Sequence, residues 1–307
     1  DPAEVAQWNP EQLALYAAAL DRAYMLASPD RWGERTIHGF VRYPHVQLMG
    51  AEIADMIERD TADILVLEVS VRHGKSFCSS IATPGWFLSK YPDRTVGLAS
   101  YEADFAAQWG RKTREAIGSP TVRQHFGIEV SKQSSAMSRW DLVTADGRTA
   151  GGMWTAGAGG PIEGKGYHLG IVDDPIKNRE VADSQEALEK IWDWWQATLI
   201  PRGEPGNKLI VVMSRWSDAD LIGRLRAASE NSEYEGKRLR VVRMPAMADE
   251  DEKFTAGPKG SVVAVQWERK TGEPLCPERY DIDDLSELRA SVGPWTWAAR
   301  YQQTPAP

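Results

Sequence analysis

The sequence predicts an α/β fold in which a mostly parallel central sheet is flanked by helices. Short runs rich in Val, Ile and Leu alternate along the chain with segments whose apolar residues recur at helical spacing. This alternation is typical of parallel sheets, because each connection between parallel strands needs a crossover that is usually a helix. The apolar runs are continuous, as expected for strands buried on both faces. The predicted strands are 63–69, 94–100, 167–172, 208–213 and 239–244, with a hairpin of 140–144 and 152–156 around 146–147.

Helices are predicted in the intervals between these strands from apolar residues spaced three and four apart. Ser100 is a candidate N-cap for one of them, and Asp183 with Glu186 forms a candidate capping box for another. The charged, Gly- and Pro-containing segment 249–260 is expected to be an exposed loop. The predicted helical segments are 1–60 with a loop at 32–43, 76–90 with an interruption near Pro84, 102–117, 183–199, 217–225 and 285–303, the last broken at 293–294.

The chain length favours one core with a smaller subdomain. With 307 residues, the sequence exceeds the usual size of a single domain. We expect an N-terminal helical segment at 1–60 packed on a core at 61–245, followed by a C-terminal lid or linker at 246–307. The two chain ends would together supply a small helical lid.

Composition excludes several classes of protein. The net charge is −8, from 36 basic and 44 acidic residues, which argues against tight standalone binding to DNA but leaves room for transient contacts in a ring. No apolar run approaches the roughly 20 residues of a membrane span. Cys78 and Cys276 form no CxxC pair and are predicted to be reduced thiols of a cytosolic protein.

A phosphate-binding loop is predicted at 70–76, SVRHGKS. The pattern G-x-x-x-x-G-K-[ST] is matched only at its end, because Val69 stands where its first glycine belongs. The loop follows a buried strand and opens a helix, an arrangement in which backbone N–H groups and the helix dipole hold phosphate. Lys75 would reach the β- and γ-phosphate oxygens, and the Ser76 hydroxyl would bind Mg²⁺. The alternative is a strand–turn–helix with a surface lysine. The expected nucleotide contacts here are Ser70, Arg72, His73, Gly74, Lys75, Ser76 and Phe77.

Polar residues also follow two later strands. Asp173 and Asp174 end the strand 167–172; we assign Asp173 to Mg²⁺ and Asp174 to the attacking water. Adjacent carboxylates repel each other, and a metal ion relieves that repulsion. The alternative is an Asx turn that simply ends the strand. Ser214, with Arg215 and Trp216, follows 208–213, where a polar group can sense the γ-phosphate, although a surface arginine and a packed tryptophan would give the same letters.

Together these segments resemble the large terminase subunits of tailed bacteriophages. The resemblance covers roughly 40–305 and is carried by SVRHGKS, LGIVDDPIKNREVADS, MSRWSDADLIGRL and WTWAARYQQTP. It implies an ASCE-type P-loop NTPase core with a RecA-like fold, which hydrolyses ATP with Mg²⁺. It also implies that 214–216 couples hydrolysis to movement. Asp174 departs from the pattern, because many relatives carry Glu at the position of the catalytic carboxylate.

The resemblance further implies a motor for double-stranded DNA. Such subunits form a ring, usually a pentamer, on the portal protein of an empty capsid and work with a small terminase subunit in the bacterial cytoplasm. The isolated chain could be monomeric. Relatives carry a nuclease domain after the YQQ-x-P segment, and since this sequence stops at Pro307, we expect no DNA cleavage.

Further residues are weaker candidates for the site. Arg139 is the candidate for an arginine that completes the site of a neighbouring subunit, with Arg148 and Arg202 as rivals, and Arg72 could act within its own chain. Tyr43 or Gln47 could contact adenine, although core packing would explain both equally well.

Two other functions remain open from the sequence. One is a helicase-like or remodelling ATPase, which would need a second RecA-like domain that the remaining length does not supply. The other is an assembly subunit that binds ATP and hydrolyses it poorly.

Overall fold

The fold is built on an eight-stranded sheet, which we describe from a computed structural model covering residues 8–162, 164–230, 238–258 and 260–305. The strand order is β3-β4-β5-β2-β6-β7-β1-β8. The five pairings from β5 to β8 are parallel, whereas β3, β4 and β5 pair antiparallel at one edge. The strands are β1 (Ile64–Val69), β2 (Thr95–Ser100), β3 (Ile128–Ser135), β4 (Arg139–Thr144), β5 (Thr149–Gly157), β6 (Tyr167–Asp173), β7 (Gly203–Met213) and β8 (Leu239–Met244).

Helices cover both faces of this sheet, as predicted. Three segments are wound as π-helix, at Phe77–Ala82, Trp194–Leu199 and Trp297–Tyr301, and a 3₁₀ turn lies at Ile200–Arg202. The α-helices are α1 (Pro10–Ala27), α2 (Pro29–Thr36), α3 (Pro44–Arg59), α4 (Thr83–Lys90), α5 (Ala103–Ile117), α6 (Pro120–Phe126), α7 (Arg179–Ala182), α8 (Gln185–Asp193), α9 (Leu221–Glu230) and α10 (Ile282–Thr296).

The core has two layers because alternate residues of each strand point to opposite faces. On β1, Leu65 and Leu67 belong to the apolar cluster that includes the N-terminal helices, whereas Ile64 and Val66 belong to the cluster under α8 and α9. Every residue of β1 is buried. A strand covered on both faces therefore needs the continuous apolar run that the sequence shows.

Parallel pairing brings the carboxyl ends of several strands to one edge of the sheet. Ser100 of β2 lies opposite Asp173 of β6, and Asp173 lies opposite Val212 of β7. The end of β1, at Val69, lies opposite Met244 of β8. The predicted phosphate loop and the two predicted polar strand ends consequently meet at this edge, where ligands of open α/β sheets bind.

The C-terminal part differs from the prediction. The segment 249–260 is not a plain loop: it contains β9 (Glu252–Ala256), which pairs antiparallel with β10 (Val265–Arg269). The lid is therefore not wholly helical. Apolar residues two apart carry this signal, Phe254 and Ala256 in one strand and Val265 and Trp267 in the other, and the Gly and Pro residues nearby obscure it. The predicted break near the end is confirmed, because Gly293 has a φ of 78° inside α10.

Two helix caps also differ from the prediction. Ser184 and not Asp183 caps α8, accepting a hydrogen bond from the Ala187 amide. Helix α5 begins after Glu102 and has no side-chain cap, so Ser100 belongs to β2 instead. Cys78 and Cys276 are free and buried. Within the described residues, no helix is both long and apolar enough to cross a membrane.

Candidate nucleotide-binding site

The loop after β1 has the backbone of an anion-binding turn. Arg72 and Gly74 both take positive φ, at 64° and 77°. Alternation of left- and right-handed residues turns successive N–H groups toward one point, which forms a concave site for phosphate. A Cβ added to Gly74 would meet nothing within 4 Å, so the space inside the loop is open. Val69 ends β1 with a negative φ, which explains why this loop needs no first glycine.

Lys75 forms an ion pair across this edge of the sheet. Its Nζ lies 2.8 Å from Oδ2 of Asp174, and both side chains are mostly shielded from water. Asp174 has a φ of 44°, and its other carboxylate oxygen accepts a hydrogen bond of 3.2 Å from the Ser214 amide. Asp is one of the few residue types that tolerates this left-handed conformation. The three predicted strand ends are thus linked by a single carboxylate.

Asp173 lies beneath the loop and is fully buried. Its Oδ1 accepts a hydrogen bond of 3.1 Å from the Ser76 hydroxyl, and its Oδ2 accepts one of 2.7 Å from the Ser80 hydroxyl. Burial, and next the negative charge of Asp174, raise the pKa of Asp173 to about 7. Ser80 was not among the predicted site residues. Its position one helical turn after Ser76 is the signal that could have identified it.

Unsatisfied polar atoms surround the loop. Buried polar groups normally have hydrogen-bond partners, and leaving one without a partner costs free energy. Buried atoms in this region that nevertheless have none among the described residues include Ser70 Oγ, His73 Nε2, Ser214 Oγ and Arg300 Nε. Hydroxyl and guanidinium donors around an open loop fit the phosphate oxygens of a nucleotide, and the neighbouring Ser76 and Asp173 oxygens fit Mg²⁺.

A cavity of about 220 Å³ adjoins the loop and has the character of a base pocket. Predicted nucleotide contacts that line it are Tyr43, His73, Gly74 and Phe77. Phe40 and Arg279 line it as well, and both lie far from the loop in sequence, so local patterns did not reveal them. Apolar and aromatic walls with a few polar atoms are typical of pockets for heteroaromatic bases.

The structure leaves other predicted residues outside this cluster. Gln47 donates a hydrogen bond of 2.9 Å from Nε2 to the Arg42 carbonyl and faces a separate small cavity. Arg139 is exposed at the start of β4, beside a cavity that also includes Thr95, the first residue of β2. In the strand order of the sheet, β4 lies five strands away from β1, which the phosphate loop follows. The Arg72 side chain is exposed as well.

Two buried histidines support the loop from below. His45 Nε2 donates to the carbonyl oxygen of His73 at 2.8 Å, and His73 Nδ1 donates to the carbonyl oxygen of Val71 at 2.8 Å. Burial lowers the pKa of His45 from 6.5 to about 3 and that of His73 to about 4. Repulsion from Arg279 and Arg269 lowers both pKa values further, and repulsion from Lys75 further lowers that of His73. Both rings are therefore neutral in the folded protein at neutral pH.

Neutral burial of His45 predicts a pH-dependent stability. Below about pH 6.5, His45 takes up a proton in the unfolded chain but stays neutral in the folded protein. The stabilising contribution of His45 is therefore lost as pH falls from 6.5 toward 3. Between about pH 7.5 and pH 5.5 this loss amounts to about 1 kcal/mol, and His45→Gln should remove it. Urea denaturation of both proteins at both pH values measures the difference.

Comparing His45→Gln with wild type separates the contribution of His45 to the pH dependence from the contributions of other titratable groups. Asp173 acts in the opposite direction over this range, since its raised pKa favours the folded state as pH falls. His38→Gln, at an exposed histidine, serves as the control and should leave the pH dependence unchanged. An unchanged dependence in His45→Gln would show that this ring is not buried neutral.

The segment after β7 holds a buried ion-pair network. Arg215 is not a surface residue: its Nε donates to Asp220 at 2.9 Å and its Nη1 to Glu68 at 3.2 Å. Glu68 also accepts from Arg226. Asp220 caps the start of α9 by accepting from the Gly223 amide. The network fixes the end of β7 to β1, and thereby fixes Ser214 beside Asp174.

Removing Arg215 should strongly destabilise the fold. Arg215→Ala would leave Glu68 and Asp220 buried without their main cation, a change that costs about 3–5 kcal/mol in buried pairs. Chemical denaturation measures it. Arg111→Ala, which breaks an exposed pair with Glu115, should cost no more than about 1 kcal/mol. Equal effects of the two substitutions would contradict the assigned role of the network.

Comparison with known proteins identifies the family. The sequence matches the family described as "Terminase large subunit, T4likevirus-type, N-terminal" over residues 66–297. None of the curated proteins compared with it matches. The mutant large terminase ATPase domain of Thermus phage P74-26 matches the structure with a TM-score of 0.55 and 13% identity, over 90% of this chain and 98% of that one.

A second solved structure gives a similar result. The large terminase of a thermophilic bacteriophage, in complex with ADP, matches with a TM-score of 0.50 and 10% identity, over 85% of this chain. This chain spans about half of that protein, since the match covers 52% of it. At these identities the structures establish the fold, which confirms the predicted RecA-like architecture. With the family match over most of its length, the chain belongs to the family of bacteriophage terminase large subunits.

Proposed function

We propose that this chain binds and hydrolyses ATP with Mg²⁺ and that the hydrolysis moves double-stranded DNA into a viral procapsid. The observation that carries the proposal is the ion pair between Lys75 and Asp174, beside the hydrogen bond from Ser76 to Asp173. Phosphate-transferring sites need a cation for the phosphates, a hydroxyl and a carboxylate for the metal, and a carboxylate for the water. All four groups lie together here.

Each residue has a distinct task in this proposal. Lys75, which pairs with Asp174, would hold the β- and γ-phosphate oxygens. Asp174, held by the Ser214 amide, would orient the attacking water and accept its proton. Ser76 and Asp173 would hold Mg²⁺, which neutralises charge that develops on the phosphates. The Ser214 hydroxyl, buried and without a partner among the described residues, would bond the terminal phosphate.

The cavity beside the loop would hold the adenine. Tyr43 stacks on His45 with ring centroids 5.9 Å apart, so its ring is fixed at the cavity wall. Phe77 is exposed and available to contact a base from the other side. Gln47 has no place in this pocket, because its amide is engaged with Arg42. We therefore assign the adenine contact to Tyr43.

Assembly completes the proposal. We expect a homo-oligomeric ring, most simply a pentamer, docked on the portal protein in the bacterial cytoplasm and supplied with DNA through a small terminase subunit. Arg139 is exposed on β4, five strands away from β1 in the sheet order, and would therefore serve a neighbouring subunit. An arginine supplied by a neighbour typically raises phosphate transfer by about 10³–10⁵-fold.

A mixing experiment tests the shared site. Arg139→Ala and Lys75→Ala proteins should each be nearly inactive in steady-state ATP hydrolysis. Mixed together, they should regain activity, because one interface then combines an intact phosphate loop with an intact Arg139. Wild-type turnover per subunit should also rise with protein concentration.

A control variant and two outcomes make this test decisive. Arg123→Ala, at an exposed arginine paired with Glu129, should hydrolyse ATP normally. Full activity of Arg139→Ala alone would remove Arg139 from the mechanism. Hydrolysis that survives Lys75→Ala would contradict the proposed function itself.

A further inference from the structure

The C-terminal segment Arg300–Gln303 crosses the nucleotide site as a strap. The Val71 amide after β1 donates to the Arg300 carbonyl at 3.3 Å. The Arg215 amide after β7 donates to Gln303 Oε1 at 3.0 Å, and the Ala246 amide after β8 donates to the Tyr301 carbonyl at 2.8 Å. The strap therefore binds to the segments that follow three adjacent strands, all at the carboxyl edge of the sheet.

The Arg300 side chain points into this edge and has no anionic partner. Its guanidinium carbon lies 3.8 Å from the centre of the Trp216 ring. Its Nε is buried and has no hydrogen-bond partner among the described residues, within which no ion pair to Arg300 is formed either. Arginine is rarely buried unless it is paired, because its charge loses the stabilisation that water provides.

The main electrostatic attraction on Arg300 comes from a carboxylate of the predicted site. Burial lowers the pKa of Arg300, and the main opposing effect is the negative charge of Asp174. Asp174 is already engaged by Lys75 and by the Ser214 amide. Because Arg300 packs on Trp216, two residues after Ser214, it lies beside the strand end where the terminal phosphate and the attacking water would be, and its Nε has no hydrogen-bond partner among the described residues.

We infer that Arg300 is a further nucleotide-contacting residue, which donates to the terminal phosphate of a bound nucleoside triphosphate from within the same chain. This inference rests on the proposed function. A planar guanidinium with free N–H groups matches phosphate oxygens closely, and Trp216 holds its plane in place. A diphosphate has no terminal phosphate at this position, so Arg300 distinguishes ATP from ADP. The strap then links the state of the nucleotide to the end of the chain.

Binding of two nucleotides tests the inference. Dissociation constants for ATPγS and ADP, both with Mg²⁺, are measured by calorimetry for wild type and for Arg300→Met, which keeps an apolar contact with Trp216. A charge-assisted hydrogen bond corresponds to roughly 10–100-fold in affinity. Arg300→Met should therefore weaken ATPγS by about tenfold or more and change ADP by less than about twofold. Arg289→Met, at an exposed arginine of α10, should change neither.

The outcomes separate this inference from the proposed function. If wild type binds neither nucleotide, the proposed function fails. If wild type binds both and Arg300→Met keeps the same ratio, or weakens both equally, Arg300 only supports the strap and the inference is overturned. Should Arg300→Met fail to fold, Arg300→Lys decides, because the loss of the guanidinium fork should still reduce the preference for ATPγS. An unchanged preference in Arg300→Lys would then overturn it.

Discussion

Asp174→Asn is expected to abolish ATP hydrolysis while leaving nucleotide binding intact. Asparagine has the same shape and can still accept the hydrogen bond from the Ser214 amide. It lacks the negative charge that orients the water and takes its proton, a contribution of about 10²–10⁴-fold. Binding of ATPγS should stay the same or tighten, because Lys75 loses its competing partner. Steady-state hydrolysis and calorimetry on the same preparation measure both quantities.

Asp218 offers a matched control for this substitution. Its side chain is exposed and contacts Arg215 only at 3.8 Å, so Asp218→Asn should preserve turnover. If Asp174→Asn hydrolyses ATP at the wild-type rate, another group activates the water. If it instead loses nucleotide binding, Asp174 holds the loop together and has no direct part in the chemistry.

Lys75→Ala should weaken nucleotide binding and reduce hydrolysis still further. Lys75 is the buried cation of the loop, and its removal would leave the phosphates with backbone donors, the Ser214 hydroxyl and Arg300. A charged hydrogen bond and the attraction it provides account for about 1.5–3 kcal/mol, so ATPγS should bind roughly 10–100-fold more weakly. Hydrolysis should fall further, since the charge on the transferred phosphate grows in the transition state.

The control for Lys75 lies in the β9–β10 hairpin. Lys253 is exposed and paired with Glu268, and Lys253→Ala should leave both activities unchanged. The variants should also be compared by thermal melting, because Asp174 loses its cation in Lys75→Ala. Normal affinity for ATPγS in a folded Lys75→Ala protein would place the nucleotide elsewhere.

The sheet and the central part of the site were predictable because their determinants are local. Continuous apolar runs identified the buried strands, and polar residues followed three of them directly. Parallel pairing then places those ends at one edge. The contacts of Lys75 with Asp174 and of Ser76 with Asp173 follow from this geometry.

Residues that reach the site over long sequence distances were not predictable in the same way. Arg279 and Arg300 come from the C-terminal part, where only the folded chain brings them to the phosphate loop. Arg215 illustrates the same limit. The local sequence is compatible with a surface arginine, and only the folded structure shows that Arg215 pairs with Glu68 and Asp220.

Local patterns also failed where two signals competed. The segment 252–256 has apolar residues two apart, at Phe254 and Ala256, but Gly and Pro around it favoured a loop. Strand β3 carries few apolar residues because it lies at the edge of the sheet, next to β4 alone. The observed cap of α8 is Ser184, one residue after the predicted Asp183, and both residue types favour the N-cap position.

A crystal structure with Mg²⁺ and ATPγS tests the assigned nucleotide site directly. The terminal phosphate is expected to separate Lys75 from Asp174 and to lie within hydrogen-bond distance of Lys75 Nζ and Ser214 Oγ. The metal should bind the Ser76 hydroxyl beside Asp173, with the base in the cavity lined by Tyr43 and Phe77. A nucleotide bound elsewhere, or a Lys75–Asp174 ion pair that persists with the nucleotide present, would contradict this assignment.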